Sequence, residues 1–195
     1  MDIDAHQKNK AFIKMPVSVL APQRMRKLTF AILFLVILKG TGYYFFPEKK
    51  LPTDQKIDKI ILTKSRRTMD VYAGGQIIKT YKISLGRDPL GDKEFEGDKR
   101  TPEGQYSIND KNPNSGFHKN LGISYPNKMD IEEAKKKNLR PGGEIKIHGI
   151  RNGLGFIGKL HRMLDWTAGC VALTDDEVDE LYNSVEIGTP ILILP

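Results

Sequence analysis

Cysteine and tryptophan are the scarcest residues of this chain, whose 195 residues contain one of each, Cys170 and Trp166. A lone cysteine excludes an intrachain disulfide framework and any zinc site built from several thiolates. Only four histidines are present, and no His/Asp/Glu cluster has the spacing of metal ligands, so we expect no metal site. The length allows one ordinary domain plus an appendage, and a content of 39% hydrophobic and 28% charged residues is globular.

Most of the chain has no excess of either charge, and the excess of basic residues is concentrated at the N-terminal end. The whole sequence carries a net charge of +7, and residues 1–50 account for +6 of it with nine basic against three acidic residues. Residues 51–195 are therefore almost neutral and offer no basic stripe of the kind that nucleic-acid binding needs. We expect no nucleic-acid partner.

The basic end contains an apolar run typical of a targeting segment. Residues 28–38 contain a single hydroxyl, on Thr29, and follow Arg24, Arg26 and Lys27. This is the order of charge and apolar residues in a secretory segment. A helix over residues 28–46 could span a membrane if Lys39 extends toward the headgroups. We interpret residues 28–46 as a signal anchor and residues 1–27 as a basic cytoplasmic segment, which places the remaining chain outside the cytoplasm. A cleaved signal peptide and a buried core helix are the alternatives.

Residues 47–56 are polar and contain two prolines, which predicts a linker. The pattern then changes to short β-like runs bounded by turn residues, with a hairpin expected at Gly74-Gly75. Helices are expected at residues 130–137, which begin with acids and end with lysines, and after Thr174, which forms a capping box with Glu177. The sequence therefore predicts a mostly β domain with one or two helices over residues 57–195. The predicted strands are residues 57–63, 69–73, 76–85, 104–108, 144–147 and 190–194.

Cys170 is the first candidate for chemistry. A lone cysteine is most often a small buried hydrophobe. Here Gly169 precedes it, and the helix predicted after Thr174 begins four residues later. Backbone N–H groups in such a turn can lower a thiol pKa and form an oxyanion hole. An exported chain that keeps one thiol is a candidate to use it as a nucleophile.

A cysteine nucleophile also needs a base, because a thiol is only a few per cent ionised at neutral pH. His6 precedes the membrane segment and would lie on the wrong side of it. His118 follows a polar loop and is expected to be a solvated or turn residue. His148 ends a predicted strand, where a rigid element could present it to a cleft, and His161 is its competitor. Position favours His148 over His161 as the base.

Four motifs occur in order along the chain. They are ISLG at residues 83–86 followed by GDKRTPEGQY at 97–106, IHG at 147–149, TAGCV at 167–171 and VEIGTP at 185–190. Each motif alone is weak, but the ordered set resembles the bacterial L,D-transpeptidase (YkuD-type) catalytic domain over residues 57–195.

The resemblance implies a β-rich fold and chemistry on peptidoglycan stem peptides. In the family, the cysteine is acylated by the third residue of a stem peptide and the terminal D-Ala is released, without a cofactor. By matching positions, Cys170 would be the nucleophile and His148 the general base, oriented by the carbonyl of Gly149. Backbone N–H groups around Gly169 and Cys170 would stabilise the oxyanion, with Thr167 in a supporting role.

Two positions depart from the family pattern. Ala168 stands where the family often has His, and Ala172 stands where it often has Arg or Asn. We hypothesise that His161, Arg162 and Trp166 line the substrate pocket and that Arg162 binds the substrate carboxylate, which the methyl group of Ala172 cannot do. The alternative is a solvated Arg162 beside a core Trp166.

The leading functional prediction is an envelope L,D-transpeptidase that passes the acyl group to an amine. An L,D-carboxypeptidase or related wall hydrolase, which uses water, has the same catalytic pair. A catalytically inactive, membrane-anchored wall-binding module is the third possibility. The sequence carries no indication of oligomeric state.

Overall fold

The computed structural model describes residues 23–52 and 55–195. Most of the predicted cytoplasmic segment, including His6, lies outside these residues. The chain divides into two compact units between Phe45 and Phe46. The boundary falls one residue before the end of the predicted anchor.

The first unit contains a single described helix, α1 (Gln23–Phe45), which runs without interruption through Lys39 and Gly40. Its span Met25–Phe45 has a mean hydropathy of 1.7, and none of the span is buried. By length and composition this helix could cross a membrane, a property that it shares with signal sequences.

The second unit, Phe46–Pro195, is built on one eight-stranded sheet in the order β3-β2-β1-β8-β4-β5-β6-β7. Strands β1 and β8 are parallel, as are β6 and β7, and the other neighbouring pairs are antiparallel. The strands are β1 (Lys59–Thr63), β2 (Thr68–Ala73), β3 (Gln76–Lys82), β4 (Gly104–Ser115), β5 (His118–Ile123), β6 (Lys146–His148), β7 (Val171–Ala172) and β8 (Pro190–Leu194).

Three helical segments accompany the sheet. Helix α2 (Lys128–Lys136) and helix α3 (Asp175–Ser184) each begin with a capping box, and that of α3 is the predicted pair Thr174 and Glu177. The third is a 3₁₀ segment (Gly155–Met163) that bends at Gly158. Helix α3 follows the strand that comes directly after the cysteine and packs against the β5 and β6 region of the sheet.

The core lies on the buried face of the sheet. Alternate residues such as Ile60 and Leu62 of β1 are fully buried, as the two-residue period of a strand requires. Val178 and Leu181 of α3 join the same cluster. Leu51 also packs into this core at 7% exposure, so part of the predicted linker is attached to the domain.

The β-rich fold with few helices confirms the predicted class. The hairpin is present, with Gly74 and Gly75 both at positive φ between β2 and β3. The sequence did not predict β5, β7 or the 3₁₀ segment. It also ended β4 at Ile108, whereas the strand continues to Ser115 through two register shifts, which break the alternation that sequence patterns detect.

His118 lies at the turn that the sequence allowed for it, but it is less solvated than expected. It begins β5 at a φ of 64°, and its Nε2 lies 2.8 Å from Asp179 Oδ1 of α3. The side chain is therefore partly buried and paired, although it does not line the cavity described below.

Candidate active site

A cavity of about 910 Å³ lies at the β5-β6-β7 side of the sheet and brings most of the predicted site residues together. The position follows from the fold, because β6 ends at His148 and the chain reaches β7 directly after Cys170. The predicted residues in its lining are His148, Cys170, His161, Trp166 and Thr167.

The turn before the nucleophile candidate is fixed by Thr167. Its Oγ1 accepts a hydrogen bond from the Gly169 N–H at 3.1 Å and donates one to the Cys170 carbonyl at 2.7 Å. The Gly169 N–H is therefore occupied, contrary to the expectation that it would serve an oxyanion. Within residues 23–52 and 55–195, the backbone N–H of Cys170 has no acceptor, which makes it the available donor.

The sequence suggested that the turn lowers the pKa of the Cys170 thiol, but the structure gives the opposite direction. Burial raises its pKa above the ordinary 9.0, and the backbone N–H and charge of Lys146 offset this only in part. Its Sγ lies 3.6 Å from the Glu144 carbonyl oxygen, the distance of a weak S–H hydrogen bond. Cys170 therefore rests as a thiol at neutral pH and must lose a proton to a base before it can attack.

His148, the predicted base, lines the same cavity as Cys170. It is only 6% exposed, and its Nδ1 lies 2.7 Å from the Gly149 carbonyl oxygen. A carbonyl accepts only, so Nδ1 carries the proton and Nε2 has a free lone pair. Burial lowers the pKa of His148 below 6.5, and the hydrogen bond to Gly149 offsets this in part. The ring is therefore neutral at pH 7.

Aromatic side chains surround this imidazole. The ring centroids of Phe117 and Trp166 lie 4.7 and 5.6 Å from that of His148. Trp166 also approaches His161, whose Nδ1 lies 3.5 Å from the indole Nε1 and 3.2 Å from Ser84 Oγ. Burial, followed by the positive charge of Arg162, lowers the pKa of His161 to about 4. His161 is thus a neutral, buried part of the cavity wall.

Arg162 is not among the residues that line the cavity, so the structure gives no support to its predicted role in binding the substrate carboxylate. Its side chain points to two other groups: Nη2 lies 2.7 Å from Glu177 Oε1, and Nη1 lies 2.9 Å from Glu48 Oε1. The alternative of a solvated Arg162 is wrong, because the Arg162 side chain is 7% exposed. The sequence pattern identified the segment that carries Arg162. It could not identify the carboxylates of Glu48 and Glu177, because both residues are distant from Arg162 in the chain.

Asn120 is a cavity residue that the sequence analysis missed. It pairs in register with His148, which pairs in register with Ala172, so all three side chains share one face of the sheet. Both side chains are buried, but Asn120 lines the cavity and Ala172 does not. Recognising β5 as a strand next to β6 would have identified Asn120, but the sequence pattern did not show β5.

Metal chemistry was not expected, and residues 23–52 and 55–195 contain no group of three or more His, Cys, Asp or Glu side chains placed to hold an ion.

Replacing Gly169 by alanine should destabilise the domain and distort the cysteine turn. Gly169 has a φ of 130°, and a Cβ there would lie 2.7 Å from the Arg100 carbonyl oxygen. The backbone strain alone costs about 1–3 kcal/mol, measurable as a lowered thermal midpoint. Gly143→Ala is the control, because a Cβ there meets nothing within 4 Å. Equal midpoints for the two variants would contradict this account of the turn.

Comparison with known proteins agrees with the site and fold. A family model described as the L,D-transpeptidase catalytic domain, YkuD, matches residues 58–193. The chain is also 28% identical over 177 residues to YafK of Escherichia coli K12, provisionally named an L,D-transpeptidase, and the match covers 83% of this chain and 64% of YafK.

Two solved structures are similar in fold. Pgp2 of Campylobacter jejuni, a helical cell shape determining protein, is 25% identical over 75% of this chain and 51% of its own, with a TM-score of 0.53. Bd1075 of Bdellovibrio bacteriovorus is 26% identical over 74% and 50%, with a TM-score of 0.50. The chain spans about half the length of these two proteins and less than two thirds of YafK. With the match over residues 58–193 and the sheet that positions Cys170 and His148, the chain belongs to the L,D-transpeptidase catalytic domain family.

Proposed function

We propose that this chain is a peptidoglycan-modifying cysteine acyl transferase of the L,D-transpeptidase type, with Cys170 as nucleophile and His148 as general base. One observation carries the proposal: both side chains line one cavity, and the Nδ1 of His148 is held by Gly149, which leaves Nε2 as a proton acceptor. A neutral base and a resting thiol in one cavity are a workable starting state for acyl transfer.

The proposed first step forms a thioester. His148 Nε2 takes the thiol proton while Sγ attacks the carbonyl carbon of the third stem residue. The backbone N–H of Cys170 stabilises the oxyanion. The C–N bond then breaks, and the departing amine of D-Ala takes the proton from His148.

The second step transfers the acyl group. An acceptor amine loses its proton to His148 and attacks the thioester, the C–S bond breaks, and the sulfur regains the proton. Asn120, His161 and Trp166 line the donor side of this reaction in our proposal, since all three border the same cavity. The side-chain amide of Asn120 adds a polar group that Ala172 lacks.

We further propose that residues 28–46, most of which lie in α1, are the signal anchor, with residues 1–27 in the cytoplasm, residues 47–56 as the linker and residues 57–195 as the catalytic domain in the bacterial envelope. The hydropathy of α1 supports the anchor. A wall substrate agrees with the family, and the similarity to Pgp2 supports a contribution to cell shape.

A competition experiment tests the acceptor. The full chain is incubated with a defined tetrapeptide donor and an amine-bearing stem peptide in water, and the products are resolved by mass spectrometry. We expect a thioester on Cys170 followed by cross-linked dimers. Shortened monomers without dimers would assign water as the acceptor and make the protein an L,D-carboxypeptidase. Absence of any Cys170 adduct would overturn the enzyme proposal and support a wall-binding module.

A further inference from the structure

We propose that Glu48, from the linker after α1, is a positioning residue for the active site: it holds Arg162 and thereby fixes the cavity wall that contains His161 and Trp166. The kinetic part of this inference rests on the proposed function. The structural part, that Glu48 fixes the packing of this wall, does not depend on the proposed function.

The contacts form a cluster of four charged side chains, which we call the linker clamp: Glu48, Lys159, Arg162 and Glu177. Arg162 bonds Glu177 at 2.7 Å and Glu48 at 2.9 Å through its two terminal nitrogens. Lys159 lies 3.5 Å from the same Glu48 oxygen and also donates to the Phe46 carbonyl. The linker is therefore bonded to the 3₁₀ segment at two nearby points.

Burial makes the charges of the clamp interdependent. The side chains of Arg162 and Glu177 are only 7% and 6% exposed, so each needs its countercharge. Glu177 cannot turn wholly toward Arg162, because its Oε2 accepts hydrogen bonds from the N–H and hydroxyl of Thr174. Burial alone would raise the pKa of Glu48, but Arg162 and Lys159 lower it, so Glu48 is ionised at neutral pH.

The clamp is joined to the cavity wall by short covalent and hydrogen-bond paths. Arg162 directly follows His161, which contacts Ser84 and Trp166. Ser84 in turn exchanges backbone hydrogen bonds with Ala172, two residues after the nucleophile. Glu177 caps α3, which begins just after the same strand. The charge on Glu48 thus acts on a side chain one residue away from the wall.

Neutralising Glu48 removes a negative charge 2.9 Å from a buried cation without removing any cavity atom. Arg162 keeps its ion pair to Glu177 but loses the charge of Glu48, and the 3₁₀ segment that carries it is held by hydrogen bonds of poorer geometry than those of an α-helix, so we expect the segment to shift. A small displacement of the wall lowers catalytic efficiency, because productive orientation of substrate is sensitive to about 1 Å. We expect the effect mainly on KM for the donor peptide, since His148 and Cys170 lie on other elements.

The chain supplies both a reporter and a matched control. Trp166 is the only tryptophan, so its intrinsic fluorescence reports on the wall alone. Glu186 pairs with Lys56 of the same linker at 2.6 Å, but both side chains are well exposed, at 68% and 79%, and neither lines the cavity. Glu186→Gln therefore breaks a linker ion pair of the same charge type away from the site.

The test compares Glu48→Gln, Glu186→Gln and the unaltered full chain in detergent. For Glu48→Gln we expect acrylamide quenching of Trp166 to rise by about twofold and kcat/KM to fall by roughly tenfold through KM, with both values unchanged in Glu186→Gln. Glu48→Asp should restore part of the efficiency. Unchanged quenching in Glu48→Gln, or equal changes in the two Gln variants, would overturn the clamp. Changed quenching in a chain that forms no Cys170 adduct would instead refute the proposed function and leave the clamp standing.

Discussion

Cys170→Ala should abolish acyl-enzyme formation while leaving the domain folded. The variant removes the only sulfur nucleophile of the chain, and loss of a nucleophile that acts as a unit with its base costs at least about 10³-fold in rate. Stability should change little, because Sγ makes only the weak contact to the Glu144 carbonyl. Intact-protein mass spectrometry after incubation with a tetrapeptide measures the adduct, and thermal unfolding measures the fold.

A matched control separates loss of chemistry from loss of packing. Thr68 Oγ1 is buried without a hydrogen-bond partner in the described structure, and Thr68 does not line the cavity. Thr68→Val should therefore keep full adduct formation with equal or greater stability. Wall processing that survives in Cys170→Ala would show that the protein acts without acyl transfer, as the wall-binding alternative requires.

The proposed catalytic pair was accessible from the sequence because each member sits in a local pattern. His148 ends a strand and is followed by the glycine whose carbonyl holds it, and Cys170 follows a Gly at a turn. The capping box of α3 was equally local, since Thr174 and Glu177 are three residues apart. In each instance the residues that interact are close in the chain.

The sequence failed where the partner lies far away. Arg162 meets Glu48 across 114 positions of chain, so spacing gave no reason to remove it from the pocket. Asn120 reaches the site through strand register, which depends on a strand that the pattern did not show. The raised pKa of Cys170 likewise follows from burial by the whole fold and not from the turn that precedes it.

His148→Gln tests the second half of the pair through the pH dependence of the reaction. In the unaltered protein the base must be neutral, so kcat/KM should rise with pH through the pKa of His148 and then level off. Burial lowers this pKa, so the pH at which kcat/KM is half-maximal should lie below 6.5.

The variant should lose about 10²–10⁴-fold in kcat/KM at pH 7, and its profile should no longer level off above the pKa of His148. Its remaining rate depends on unaided ionisation of Cys170, whose pKa burial raises above 9.0, so the rate should climb by about tenfold per pH unit through the neutral range. His118→Gln is the histidine control, because His118 pairs with Asp179 outside the cavity and should leave the profile unchanged. A profile of His148→Gln that still levels off between pH 6.5 and pH 8 would assign the base to another group.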